Sequence, residues 1–222
     1  MQFQELLDFD FIYSILPIFW KAFLLTLQVS AIGILGATFI GFFLAIILYY
    51  RIPYLYRISR VYIEISRNTP LLIQLFFLYF GLGVWVNISN FWCAIFGVIF
   101  LGASYMAESF RLGLQQVHKI QIEQALSLGF SRLQILRFII LPQSIGVSMP
   151  AICANILFLI KETSIVGAIA LPDIMAIAKE IIGIYSQTNE ALFLLIVAYL
   201  IMLLPLSFIF MALEKYCKRI YN

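Results

Sequence analysis

Four stretches of this chain contain no Asp, Glu, Lys or Arg: residues 22–50, 68–107, 138–160 and 191–213, which run for 29, 40, 23 and 23 residues. Uncharged runs of this length constrain the fold more than any other feature. About 20 apolar residues at 1.5 Å rise per residue make a helix that crosses the ~30 Å hydrocarbon core of a bilayer. Lipid offers backbone N–H and C=O groups no partners, so a crossing segment has to satisfy them internally. The run at 68–107 is long enough to cross twice, with turn signals at Gly81-Leu82-Gly83 and at Asn87-Ile88-Ser89-Asn90. The expectation is an all-α integral membrane protein with five transmembrane helices, a single transmembrane domain over residues 1–222. Only 11% of the residues are charged, less than half the roughly 25% of soluble domains, which excludes a soluble globule.

The basic residues orient the spans. Arg51, Arg57, Arg60 and Arg67 follow the first run; Arg111, Lys119, Arg132 and Arg137 lie between the third and fourth spans; Lys215, Lys218 and Arg219 follow the last. Eleven of the fourteen thus fall on one side, with Lys21, Lys161 and Lys179 left for the other. Cytoplasmic loops collect Lys and Arg, so the C-terminus is expected inside and the N-terminus, with Glu5, Asp8 and Asp10, outside. An odd number of spans requires the same arrangement. Residues 1–20 lack the basic start of a signal peptide and are expected as an amphipathic helix on the outer surface, with Phe3, Phe9, Phe11, Tyr13 and Trp20 at the interface.

The chemistry the chain lacks narrows its function. It has no phosphate-loop motif, no His-Glu-x-x-His and one histidine, His118, in a polar loop. No catalytic residue, metal site or cofactor is expected. Cys93, Cys153 and Cys217 read as apolar filler. Gly33, Ala37, Gly41 and Ala45 repeat every fourth position in the first span, a seam where another helix backbone can approach, read as packing within the subunit. Polar side chains at membrane depth, Gln28, Gln74, Ser104, Glu108 and Asn155, can line a solute path, although single amides and hydroxyls in spans more often bond neighbouring helices. Pro150 and Pro205 sit within spans and are candidate kinks.

Residues 118–142 are the polar exception between two spans. They read Glu123-Gln124-Ala125, three residues, Gly129, nine residues, then Ile139-x-Leu141-Pro142. Ala, Gln and Leu favour helix over Ile122 to Leu128, Gly129 lets the backbone turn, and Ser131 can cap a second helix from Arg132. Leu126, Leu128 and Phe130 offer apolar contact, with Glu123 and Arg132 at the rim, a composition suited to docking another protein. This segment resembles the "EAA" loop of permease subunits of ATP-binding-cassette importers, Glu-Ala-Ala, three residues, Gly, nine residues, Ile-x-Leu-Pro; Gln124 replaces one alanine. Two further segments resemble the polar amino acid subfamily. Arg67-Asn68-Thr69-Pro70-Leu71-Leu72-Ile73-Gln74, leading to Tyr79-Phe80-Gly81-Leu82, is similar to its Arg-Gly-Thr-Pro-Leu-Leu-x-Gln and Tyr-Phe-Gly-Leu, with Asn68 for glycine. Here Thr69 is expected to cap the helix and Pro70 to open it. Lys161-Glu162-Thr163-Ser164 is similar to its Lys-Asp/Glu-Thr-Ser. After it, Ile165 to Leu171 is too apolar for a free loop, and Pro172-Asp173 is expected to start a short helix across the outer mouth.

The resemblance implies a permease subunit of a polar amino acid importer in a bacterial inner membrane. It implies that Glu123, Gln124, Ala125, Leu128, Gly129 and Arg132 couple to separate ABC ATPase subunits. A second permease subunit, identical or homologous, and an external solute-binding protein are the other implied partners. Gln74, Asn155, Lys161, Glu162, Thr163 and Ser164 are the pathway or gate candidates; Lys161 and Glu162 equally suit a snorkelling pair marking the end of a span. The alternatives are a secondary transporter or channel driven by an ion gradient, which calls for buried carboxylates the spans almost lack, and a membrane scaffold with a docking loop.

Overall fold

The computed structural model describes residues 7–221, and every regular element among them is a helix. Helix α1 (Phe9–Tyr50) is followed by α2 (Leu55–Asn68), α3 (Leu71–Phe76), a π-helical turn (Phe77–Leu82), α4 (Gly83–Val86) and α5 (Asn90–Gln115). Then come α6 (Lys119–Ser127), α7 (Arg132–Ile135), a second π-helical turn (Leu136–Ile140), α8 (Leu141–Glu162), a 3-10 stretch (Thr163–Ile169), α9 (Ile174–Tyr185) and α10 (Thr188–Tyr221). Among the described residues, four helical stretches are long and apolar enough to cross a membrane: Phe9–Tyr50, Asn90–Gln115, Arg132–Ile169 and Thr188–Cys217. The expected second span is represented by the shorter apolar helix Leu71–Leu82.

Several boundaries differ from those read in the sequence. Residues 9–20 form no separate helix: α1 runs without a break for 42 residues through Pro17, about 63 Å at 1.5 Å per residue. Phe3 and Glu5 lie outside the described residues. Gly81-Leu82-Gly83 makes no turn but stays helical, and the chain reverses at Asn87, which ends α4 in the left-handed region at φ 54°. Asparagine visits that region readily. Thr69 does not cap α3 with its side chain; Pro70 is the cap residue, in extended geometry at φ −57°, ψ 142°. Its carbonyl accepts from Ile73 N at 3.0 Å and Gln74 N at 3.3 Å, while the Thr69 carbonyl is taken by the Gln74 side-chain amide at 2.9 Å. Proline has no N–H of its own to satisfy, so the first turn loses nothing. The segment after the first span is α2, with Ser59, Ile63 and Ser66 buried and Leu55, Ile58, Val61 and Ile65 exposed.

The chain divides into two compact units, residues 1–34, 69–98 and 159–206 in the first, and 35–68, 99–158 and 207–222 in the second. In the first unit, α9 is sealed by its N-cap: Asp173, fully buried, accepts from Ala176 N at 3.0 Å and Met175 N at 3.3 Å. The Thr26 hydroxyl accepts from Ile174 N at 3.2 Å. A Cβ added at Gly33 would meet Val98 Cγ1 at 2.6 Å. In the second unit, a Cβ at Gly41 would meet Met106 Cβ at 2.5 Å and the Ala103 carbonyl at 2.9 Å, and Ala37 and Ala45 are completely buried. The small-residue stripe of α1 is therefore packed against α5 of the same subunit, as the spacing suggested. Cys93, Cys153 and Cys217 are free and buried, and the helices containing Pro150 and Pro205 continue through them.

Candidate functional site

The polar segment between α5 and α8 folds as two short helices joined by a left-handed turn. Helix α6 starts at Lys119, three residues before the propensity estimate, and ends at Ser127. Leu128 is its C-cap and Gly129 takes φ 83°, a region glycine enters without the steric cost a Cβ imposes. Gly129 N donates to the Leu126 carbonyl at 3.0 Å and Phe130 N to the Ala125 carbonyl at 3.0 Å, consuming carbonyls the helix end would leave unpaired. Ser131 then caps α7 in a capping box: its hydroxyl accepts from Gln134 N at 3.4 Å while its own N–H donates to Gln134 Oε1 at 2.8 Å.

One face of α6 is anchored to the second unit's own core. Ala125 is buried in a cluster with Ala45, Leu114, Val117, Ile135, Leu136 and Ile140, and Ile122 packs at its edge. The Gln143 side-chain amide donates to Gln121 Oε1 at 2.9 Å and to the Ile139 carbonyl at 3.0 Å, tying α6 to the start of α8. The opposite face points out. Ile120, Glu123, Gln124, Ser127 and Leu128 line an open groove of about 470 Å³. Ile120 is 65%, Leu128 78% and Leu133 73% exposed. Arg132 is exposed on the following helix. Of the expected coupling residues, Glu123, Gln124 and Leu128 lie together on this groove, Ala125 is the anchor beneath it, and Gly129 and Arg132 are exposed on the turn and helix that follow.

The pathway candidates are dispersed. In the first unit Gln74 is buried in α3, and Thr163 is wholly buried, donating to the Ile160 carbonyl at 2.7 Å and lying 3.3 Å from the Ser30 hydroxyl. Lys161 is exposed, Glu162 closes α8 half-buried, and Ser164 is half-buried in the 3-10 stretch. In the second unit Asn155 donates to Ser109 Oγ at 2.8 Å and to the Tyr105 carbonyl at 3.3 Å. Ser104 accepts from Ser66 at 3.1 Å, and Glu108 pairs with Arg111 Nε at 3.0 Å. Thr163, Asn155 and Ser104 thus bond side chains of neighbouring helices of the same chain, whereas Glu108 pairs within its own helix. Gln28, like Lys161, is exposed. Asp173, outside the membrane-spanning helices, has its carboxyl pushed up to about 6 by burial, with the Ala176 and Met175 amides and Lys179 pulling the other way.

Sequence reasoning missed the place of Arg67. The Ser66 hydroxyl donates to the Phe100 carbonyl at 2.8 Å and the Tyr62 hydroxyl donates to the same carbonyl. These bonds set the end of α2 against the middle of α5, so Arg67 is not part of a loop; its guanidinium carbon lies 5.1 Å from the centroid of the Tyr105 ring. The signal was present in the i, i+4 spacing of Tyr62 and Ser66 beside exposed apolar residues, a helical pattern inside a basic segment.

Comparison with known proteins places this geometry in context. Residues 37–219 match the family described as binding-protein-dependent transport system inner membrane component. The chain is 35% identical to the probable amino-acid ABC transporter permease protein PatM of Vibrio harveyi, over 78% of this chain and 79% of that one. It is 30% identical to the glutamine transport system permease protein GlnP of Escherichia coli (strain K12), over 95% of this chain and 98% of that one. A crystal structure of an amino acid ABC transporter with histidines superposes at a TM-score of 0.85, with 28% identity and 95% of this chain and 99% of that chain covered.

Proposed function

This chain belongs to the binding-protein-dependent transport system inner membrane components, as a multi-pass inner-membrane permease subunit of an amino acid ABC importer, and on that premise we propose that the outward face of α6 is the seat of its ATPase. In this family the ATPase is a separate subunit and the permease carries no cofactor, so force must enter through a protein contact. The observation that carries the reading is the two-sided build of α6. Ala125 holds it to the second unit's core while Ile120 and Leu128, beside Glu123 and Gln124, stand in an open groove. A helix fixed on one side and apolar on the other passes displacement of a bound partner into the helices beneath it.

Five crossings complete the reading, with the apolar helix Leu71–Leu82 in the second, the N-terminus outside and the C-terminus inside. The cargo is a polar amino acid delivered by an external solute-binding protein, and a second permease subunit completes the pathway. ATP binding draws two such coupling helices together and opens the spans outward; hydrolysis resets them. Lys161, Glu162, Thr163 and Ser164 belong to the gate, next to α9.

Purification of the tagged subunit from its native membrane, wild type beside Leu128→Asp, tests the coupling surface. The wild type is expected to bring down an ATPase with a phosphate-loop motif and the variant, at equal membrane abundance, to lose it. Equal ATPase recovery with both proteins would remove α6 from the interface.

A further inference from the structure

We propose that the groove between the first halves of α1 and α10 binds one anionic phospholipid, with an acyl chain on its aromatic floor and the phosphate at Lys21. The proposal needs only the membrane placement of these two helices and is independent of where the ATPase sits.

The groove lies wholly within the first unit. Phe19, Phe23 and Ala198 form its floor, at 4%, 7% and 7% exposure, and Tyr13, Trp20 and Ile201 stand exposed around it. Its volume is about 550 Å³, within the ~300–1,000 Å³ range of small-molecule sites. Trp20 stacks on Phe23 with ring centroids 5.3 Å apart and planes at 19°, which fixes the aromatic wall. Asp8 N donates to Glu190 Oε1 at 2.9 Å and sets the starts of the two helices level. From there both line the groove in the same direction, α1 over residues 13–23 and α10 over 194–201. Residues 13–23 rise about 15 Å, half of a ~30 Å hydrocarbon core. The groove is therefore one leaflet deep, the reach of a single acyl chain.

Lys21 supplies the selectivity. It follows Tyr13 and Pro17 at successive four-residue steps, on the face of α1 that carries the groove. Among the described residues no carboxylate lies within ion-pair distance of Lys21, and the residue is exposed. Lys21 lies about 18 Å past the start of α1, level with the uncharged run of α10, where a bare ammonium is costly. Helical side chains lean toward the N-terminus and long cations reach for the surface, so the ammonium is directed toward headgroup level. A phosphate there removes the cost. Trp20 and Tyr13 add an indole N–H and a hydroxyl, the donors that aromatic residues present to headgroups. Pro17 has no N–H to give the Tyr13 carbonyl, which leaves a backbone acceptor for a headgroup hydroxyl. A cation, two donors and an acceptor beside an apolar trough match phosphatidylglycerol. Phosphatidylcholine would instead bring a second fixed cation, without an N–H, to Lys21.

The test is lipid retention by the detergent-solubilised, delipidated permease with the subunits that accompany it, titrated with micelles of phosphatidylglycerol or of phosphatidylcholine and read by native mass spectrometry. The wild type is expected to retain phosphatidylglycerol at concentrations where phosphatidylcholine is lost. Lys21→Gln is expected to lower that retention about fivefold, the contribution of one lysine near an anionic lipid surface. Lys21→Arg keeps it, and Lys179→Gln, which removes a cation outside the groove, stays within about twofold of wild type. Ala198→Trp fills the groove and is expected to abolish retention of both lipids; if it fails to assemble, Lys21→Gln, at an exposed position, decides the matter. Equal retention of the two lipids by the wild type, or unchanged selectivity in Lys21→Gln, would overturn the proposal. Loss of a second permease subunit from Lys21→Gln would assign the groove to a protein partner and overturn it equally. ATPase recovery, read in the same spectra, tests the α6 surface separately.

Discussion

Two short helical segments interrupt the long helices of this chain, residues 119–131 and Thr163–Tyr185, and they use the same local devices to opposite ends. Each contains a left-handed residue, Gly129 at φ 83° and Ala170 at φ 57°, and each presents a side-chain cap, Ser131 and Asp173. Burial divides them. In α6 only Ala125 is buried, whereas Val166, Ile169, Leu171, Asp173, Ile174, Ile177, Ala178 and Ile181 are all buried in the other segment. An alanine in the left-handed region costs roughly 1–2 kcal/mol and persists only where its surroundings impose it. Ala170 lies between the buried Ile169 and Leu171, while nothing comes within 4 Å of a Cβ placed on Gly129. The exposed turn must therefore be built from the residue that needs no support. Local grammar makes both segments; the direction of their apolar side chains makes one a surface and the other a core.

The comparison breaks if Gly129→Asp is tolerated. That change meets no clash but strains the turn and puts a charge beside the groove, so uptake and ATPase co-purification are expected to vanish while membrane abundance, read by immunoblot, stays at the wild-type level. Next in size is a paired substitution. Ile174→Ala, at a fully buried position, is expected to cost about 2–5 kcal/mol, seen as a lower midpoint of thermal unfolding in detergent. Leu128→Ala, at a side chain 78% exposed, is expected to leave the midpoint in place and weaken ATPase binding. Reversal of the two phenotypes would mean the segments have been assigned the wrong way round. Lys161→Ala and Glu162→Ala sharpen the contrast further: uptake kinetics are expected to change with the ATPase still bound, and normal kinetics in both would make the pair a span-end marker. Ser131→Ala removes one half of a capping box and is expected to cost about 1 kcal/mol.

The buried segment is also expected to show a pH dependence. The Asp173 carboxyl titrates at about 6 in the fold against an ordinary value of 3.8, so folding favours its protonated form. Its contribution is complete below the ordinary value and is lost as pH rises through about 6. Thermal midpoints measured from pH 4 to pH 7 are expected to fall more for wild type than for Asp173→Asn, which keeps an acceptor for the Ala176 and Met175 amides; parallel curves would remove Asp173 as the source.

Much of this was legible in the chain. Uncharged runs marked the long apolar helices because lipid tolerates few charges, and Gly129, Ser131 and Asp173 announced their turn and caps because those geometries depend on a few neighbouring residues. The small-residue stripe of α1 announced its seam for the same reason: Gly33 and Gly41 leave room only another helix can fill. Boundaries resting on competition between signals were less legible. Gly81 and Gly83 look like a turn, yet helical hydrogen bonds carry through them and the break falls at Asn87. Likewise the acidic start reads as a separate segment, but α1 passes through Pro17 unbroken.

By itself, the sequence determined a helical membrane protein with a polar two-helix insertion, since hydropathy, spacing and capping act within a few residues of one another. Tertiary structure alone decided which side of α6 is anchored, by bringing Ala125 to Ala45 and Ile140. It also decided that Arg67, at the end of α2, stands over Tyr105 near the middle of α5 instead of in a loop. Contacts between residues far apart in the chain depend on how whole helices pack, and no local pattern encodes the register in which two of them meet.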